Sequence, residues 1–489
     1  MIVMKFGGSS LASAASMGRV VSIIRSEAGR HPVIIASAIG DTTDCLLEIL
    51  AAARRANSYS AWKLQEAMKN QHFAICEEFL HGPGQSVISR FLRDTFRDLH
   101  VRMLEICEGE RVFTPELQDW TTSLGEQLSS RLLAAIVQEH CGETVHLDSR
   151  KLILTNDRFT SAQPRYWETY ARLRWSVPIA ARDKLVVLGG FIGGTEDGRT
   201  TTLGRGGSDL TASIVGAAIN AEEIQVWKDV DGMLTCDPRL FGEAHKVKRL
   251  SYTEASELAK AGATVLHPET MAPAERLRIP IVIRNTFDPN GEGTRIDGGA
   301  VQGTNVVKSM AIKRGLTLLE VHSAKRADDL EHLTAFCKEH SSMTTVLCSS
   351  ERVVYIAIDE NAKMPEENLA PNGCLEVQVR SHQAILTLVG QDLQKEAITK
   401  RLTAALRGIP TFLIPSDESC SVRMAVPQHQ LQQCLDLVHH AFFSRPDPQF
   451  FVAGNTSATK QSTGPDVSSP KHETKPRSFV FSTDLLQAN

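Results

Sequence analysis

From residue 1 to about 305, short apolar runs alternate with stretches of helical period. That pattern predicts strands joined by crossover helices, and therefore an α/β domain built on a mostly parallel sheet. Candidate strands are Ile2 to Phe6, Pro32 to Ser37, Lys184 to Gly189, Glu223 to Trp227 and Ile279 to Arg284, rich in Val and Ile and mostly closed by Gly, Asp or Asn. Residues 55–115 contain no clear strand and read as a helical insertion. Beyond it, Leu124, Leu128, Leu132 and Ile136 recur every four residues, with Thr121 and Thr122 placed to cap a helix start and Gly142 to stop it.

After the Gly-, Asp- and Asn-rich stretch 288–306, two smaller α+β patterns follow, read as regulatory modules. The first, 310–372, sets strands Thr317 to Val321 and Val353 to Ile358 around a helical Ala327 to Glu339. The second, 373–450, carries a strand Ala384 to Val389, a helix Lys395 to Leu406, a strand Ser421 to Val426 and a helix Gln430 to Phe442. Residues 454–489 are dominated by Ser, Thr, Lys, Pro, Gly and Asp, which bury too little apolar surface to offset ordering entropy, so a disordered tail is expected.

A chain of 489 residues that is 42% hydrophobic can fill more than one core. Its net charge of -4, with basic residues scattered, lacks the electrostatic footprint of a nucleic-acid binder. The ten cysteines stand apart with no C-x-x-C pair, which reads as reduced thiols in the cytoplasm. The N-terminus enters a strand directly, without the signature of a secretory signal, and no apolar run approaches the roughly 18–20 residues needed to span a bilayer.

The candidate chemistry sits at strand ends. Lys5-Phe6-Gly7-Gly8-Ser9-Ser10 follows the first strand, where paired glycines let backbone amides approach a phosphate and a lysine has reason to face negative charge. The same residues also suit a tight turn with a surface lysine. Gly189 to Gly194 follows another strand, and Gly204-Arg205-Gly206-Gly207-Ser208-Asp209 opens a helix whose free amides favour anions, with Arg205 able to fork onto a carboxylate and Ser208 read as a cap. Neither segment fits the P-loop or the dinucleotide fingerprint. The polar segment Lys228-Asp229-Val230-Asp231-Gly232 with Asp237-Pro238-Arg239 can hold a nucleotide or simply turn the chain. His267, before Pro268, reads as a structural turn residue.

Taken in order, Lys5 to Ser10, Ser123 to Ser130, Thr155 to Asp157, Thr201 to Asp209, Trp227 to Arg239 and Ala261 to Pro268 resemble the amino-acid kinase family, and within it the aspartate kinase branch with paired C-terminal ACT domains. The resemblance implies an enzyme that passes the γ-phosphoryl group of ATP, as its Mg²⁺ complex, to the side-chain carboxylate of L-aspartate, the first step toward lysine, threonine and methionine. Lys5, Arg205 and Asp209 would be catalytic. Lys5, Phe6, Gly7, Gly8, Lys228, Asp229, Leu234, Arg239, Thr264 and Val265 would hold ATP, with the Gly7 and Gly8 amides on the phosphoryl group. Thr43, Glu126 and Arg205 would bind the acceptor, Glu126 at its amino group and Arg205 at its α-carboxylate. Magnesium would ride on the ATP phosphates without a dedicated protein site. The resemblance further implies a homodimer and an amino-acid effector, lysine first, at the two modules. Rival readings are a relative acting on glutamate or acetylglutamate, and a non-catalytic amino-acid sensor.

Overall fold

The computed structural model describes residues 1–263, 265–299, 306–323, 344–349, 353–360, 375–391, 393, 395–415 and 419–452. The expected tail at 454–489, the expected helix within 327–339 and Thr264 lie outside the described residues. In chain order the first strands are β1 (Ile2–Phe6), β2 (Pro32–Ala36), β3 (Thr144–Leu147), β4 (Leu185–Gly189), β5 (Ile192–Gly194), β6 (Thr200–Thr202), β7 (Ile224–Lys228), β8 (Arg249–Leu250), β9 (Ile281–Asn285) and β10 (Thr294–Ile296). Eight of them form one sheet in the order β3-β4-β2-β1-β7-β9-β10-β8, while β5 and β6 pair separately. Pairing in the eight-stranded sheet is parallel except between β9 and β10.

Side chains alternate across β1, which decides where its lysine goes. Ile2, Met4 and Phe6 enter one core, shared with the helical part of the chain. Val3 enters the other, beneath the helix Gly207–Ile219, and Lys5 shares that face. The register Lys5↔Val226 and Phe6↔Trp227 then sets the end of β1 beside the end of β7. Helices Ser58–Phe79 and Gly82–Cys107 occupy the region expected to be helical.

The helix Pro115–His140 starts earlier than its leucine spacing suggested. Its cap is Thr114, whose Oγ1 accepts from Leu117 N at 3.1 Å, with Pro115 in the first turn. Thr121 and Thr122 lie inside the helix, their hydroxyls donating to the carbonyls of Leu117 and Gln118. The sequence reading failed here because a threonine that bonds back one turn looks, in one dimension, like a capping threonine.

The C-terminal strands β11 (Val306–Ser323), β12 (Thr344–Ser349), β13 (Val353–Asp359), β14 (Leu375–Gln391), β15 (Phe412–Ile414) and β16 (Ser421–Pro427) form one antiparallel sheet in the order β12-β13-β11-β14-β16-β15. Strand β11 runs its whole length beside β14 and also pairs with β13 through Leu316 to His322. The two segments read from sequence as successive modules therefore share central strands. Helices Lys395–Ala405 and Leu431–Phe443 pack together on this sheet. Two ion pairs tie the sheet to the helix Tyr252–Lys260: Lys308 Nζ to Glu254 at 2.8 Å, and Arg423 to Glu257 at 2.7 Å.

Candidate active site

The ends of β1, β2 and β4 and the helices Thr42–Arg54, Pro115–His140 and Gly207–Ile219 surround a cavity of about 500 Å³. Lys5, Thr43, Glu126, Arg205, Ser208 and Asp209 all line it. Lys5 is buried, and its Nζ stands 2.7 Å from Asp209 Oδ1. Lys228, from the end of β7, donates to the other oxygen of Asp209 at 3.1 Å and also to the carbonyl of Val265. Two ammonium groups thus flank one carboxylate, leaving that end of the cavity positive. Burial opposes charge on Asp209, yet Lys5 and Lys228 outweigh it and hold the carboxyl below its usual range. Burial draws the Lys5 ammonium below the usual lysine range, against the pull of Asp209.

The helix Gly207–Ile219 points its first turn at the same space. Its cap is Gly206 at φ 73°, a left-handed conformation open to glycine, and a Cβ there would stand 2.9 Å from Thr270. Ser208 is therefore within the first turn and faces the cavity, where sequence had made it the cap. Arg205 is exposed at the cavity mouth, with no hydrogen bond or ion pair among the described residues. His267 caps the neighbouring helix Pro268–Arg276 by backbone position alone, consistent with its reading as a turn residue.

The opposite wall is the helix Pro115–His140. Gly125 lets it approach the loop after β2, since a Cβ there would stand 2.8 Å from Ala38 Cβ. That approach puts the buried Glu126 within reach of the Ala38 amide, which donates to Oε1 at 3.1 Å. Its other oxygen, Oε2, has no partner among the described residues. Burial pushes the Glu126 carboxyl up to about 8, against the Ala38 amide and the Lys5 charge.

Other residues assigned from the motifs fall elsewhere. The Gly7 amide donates to Trp227 O at 3.0 Å, so it is engaged within the sheet. Gly8 packs on the loop after β2, where a Cβ would stand 2.7 Å from Gly40 O. The Phe6 ring is in the core, stacked on Trp227 at 6.1 Å. Asp229 is exposed, and Arg239 is exposed and paired with Asp237. Leu234 accepts from the Ser309 hydroxyl through its carbonyl at 2.6 Å. None of these six lines the cavity. Their assignment rested on linear position, whereas hydrogen bonds across the sheet decide which groups remain free.

Conversely, Ser37, Gln118, Thr122 and Thr160 line the cavity, though none had been assigned to a site and Thr122 had been read as a helix cap. Gln118 and Thr122 carried a legible signal, since they precede Glu126 by two helical turns and one, and so share its face.

A cavity with a buried ion pair at one end and a half-satisfied carboxylate on the opposite wall invites comparison with known proteins. Residues 1–285, more than half of the chain, match the model of the amino acid kinase family. The chain belongs to that family. Among other amino acid kinase relatives, Aspartokinase 1, chloroplastic, of Arabidopsis thaliana is 31% identical, with 91% of this chain and 80% of the relative covered. Among solved structures, Escherichia coli aspartokinase III in complex with aspartate and ADP in the R-state superposes with a TM-score of 0.77 at 28% identity, covering 91% of this chain and 100% of that one. The same enzyme in complex with lysine and aspartate in the T-state gives a TM-score of 0.73 at 28% identity, covering 91% and 99%.

Proposed function

We infer that this chain is an aspartate kinase, transferring the γ-phosphoryl group of ATP to the side-chain carboxylate of L-aspartate. The observation that carries this reading is the convergence of Lys5, Asp209, Arg205 and Glu126 on one cavity, cationic at one end and carrying a buried, half-satisfied carboxylate on the other wall.

The acceptor carboxylate is already ionised near neutral pH, so the site needs alignment and charge neutralisation rather than a general base. Arg205 forks onto the α-carboxylate, and the free oxygen of Glu126 receives the α-ammonium. Thr43 adds a hydroxyl beside them. With the acceptor held at its α-carbon end, its side-chain oxygen forms a bond to the γ-phosphorus as the bond to the leaving ADP oxygen breaks. Lys5 neutralises charge that builds on the transferring oxygens, and Asp209 holds that ammonium in place while Lys228 buttresses Asp209. The lysine pair and the glycine-started helix fit a polyphosphate. Mg²⁺ bound to the phosphates supplies further charge neutralisation.

The six-stranded sheet is the regulatory part of the same proposal, with lysine as the first effector to test and a homodimer as the working assembly. A cytoplasmic setting belongs to it too. Cys45, Cys76, Cys107, Cys141, Cys236, Cys420 and Cys434 are free thiols, and among the described residues no helix is long and apolar enough to cross a membrane.

The test is ADP release coupled to hydroxylamine trapping of the acyl phosphate, run with aspartate, glutamate and acetylglutamate and repeated with added lysine. Trapped product with aspartate alone supports the reading; product with glutamate in its place overturns it. Light scattering across concentrations tests the dimer.

A further inference from the structure

The carboxylate of Asp119 is fully buried on the helix Pro115–His140, yet it touches neither Lys5, Arg205 nor Glu126. Its partners lie in two other segments. Oδ1 accepts from the Thr160 amide at 2.9 Å and from the Thr202 hydroxyl at 2.7 Å, while Oδ2 accepts from the Thr202 amide at 2.9 Å. Both threonines line the cavity, and Asp119 ties them to its own helix, which also bears Glu126.

Thr160 holds φ 72°, a left-handed conformation that a β-branched residue adopts only under constraint. The Asp119 bond to its amide supplies that constraint. A Cβ on Gly204 would stand 3.5 Å from the Thr160 carbonyl and from Ser161, so this turn passes beside them, and Arg205 follows it in the chain. Thr202 closes β6 immediately ahead of the same Gly204-Arg205 turn. One buried carboxylate therefore links the wall carrying Glu126 to the segment carrying Arg205. Its hydrogen-bonding capacity is directed at these fixed donors, which keeps the group from being an unsatisfied buried charge.

We propose that Asp119 is a positioning residue that fixes the spacing between Glu126 and Arg205, and so the seat for the acceptor's α-ammonium and α-carboxylate. This rests on the aspartate kinase reading. Asp119 acts through the Thr160 turn and Thr202 and makes no contact with the acceptor itself. The nucleotide end, built on Lys5 and Lys228, stands apart from these bonds, so a change at Asp119 acts on the acceptor and leaves ATP binding alone.

The experiment is steady-state kinetics of Asp119→Asn, Thr202→Val and the double variant, with aspartate and ATP each varied. An asparagine amide facing the Thr202 N–H sets donor against donor, so Asp119→Asn is expected to raise KM for aspartate about tenfold, the effect of one lost buried hydrogen bond. KM for ATP and kcat stay within about twofold. Thr202→Val, which deletes one of the same bonds, raises KM for aspartate by less. The double variant is no worse than Asp119→Asn alone, because both changes break one shared link.

An unchanged KM for aspartate in Asp119→Asn, an equal rise in KM for ATP, or multiplying effects in the double variant overturns the proposal. If Asp119→Asn does not fold, Thr202→Val decides, and an unchanged KM for aspartate there overturns it as well. A wild-type chain inactive on aspartate overturns the functional reading instead.

Discussion

Lys5 at the end of the first strand and Asp209 in the first turn of a distant helix form a buried ion pair, 2.7 Å between Nζ and Oδ1. Neither residue reaches the other by local structure. Strand alternation turns Lys5 onto the face covered by the helix Gly207–Ile219, and the glycine start of that helix turns Asp209 back toward β1. The pair presents a fixed ammonium to the cavity, held by a carboxylate that Lys228 also grips.

Replacing Lys5 by alanine removes charge stabilisation that the transition state needs most. Loss of one preorganised group of this kind costs about 2.7–4 kcal/mol, so turnover should fall about 10²- to 10³-fold. The fold survives, because Asp209 keeps Lys228 as its partner. Turnover within a few-fold of wild type, measured as ADP release, would remove Lys5 from the mechanism.

Glu126 gives the enzyme a pH signature. Its carboxyl, raised to about 8 by burial, must ionise to receive an ammonium, so KM for aspartate falls as pH rises toward about 8 and then levels. Stability moves the other way. The native state keeps a proton that the unfolded chain releases above about 4.5, so this group lowers stability between about 4.5 and about 8. Glu126→Gln abolishes both trends while weakening aspartate binding. A KM profile in that variant parallel to wild type assigns the titration to another group.

His72 sets an acid limit on the fold. Buried against Phe96, with Nδ1 on the Met68 carbonyl at 2.8 Å and Nε2 unpartnered among the described residues, it is held down to about 4 by burial. The unfolded chain binds its proton below about 6.5 and the native chain does not, so stability is lost as pH falls from about 6.5 to about 4. The full effect is about 3 kcal/mol. Urea unfolding of His72→Leu should show a shallower decline through that window, and an identical slope would acquit this histidine.

Lys308 and Glu254 form a nearly fully buried pair between the regulatory sheet and the catalytic part, their side chains 3% and 2% exposed. Removing one partner of such a pair costs about 3–5 kcal/mol, because the other charge stays buried. Lys308→Met should lower unfolding stability by that amount. Adding Glu254→Gln recovers part of it, since the amide oxygen still accepts from Ser251 N at the start of the helix. No recovery in urea titrations would show that packing of the lysine stem, rather than its charge, ties the parts together.

How much was legible follows from which signals are local. The strands β1, β2, β4, β7 and β9 were visible as Val- and Ile-rich runs, and the glycine turns that follow β1 and β4 were visible with them. Lys5, Arg205 and Asp209 stand in glycine-rich segments that were visible in the sequence, Glu126 came from the family resemblance, and all four face the cavity. The start of the helix Pro115–His140 was misplaced because threonine serves both caps and back-bonds. Asp119 drew no attention, being one aspartate on a helix whose neighbours in sequence are not its partners.

Local rules act through the chain's own period: alternation chooses a face for each strand residue, and a glycine permits a turn wherever it occurs. The amino-acid order by itself therefore determined the parallel α/β plan, the anion-ready turns and the identity of the principal charged groups. Only the tertiary structure decided which donors and acceptors are left for a ligand, because a polar atom is free or engaged according to what packs beside it. That is why the Gly7 amide is closed by Trp227, Glu126 keeps one oxygen open, and Asp119 bonds to Thr160 and Thr202.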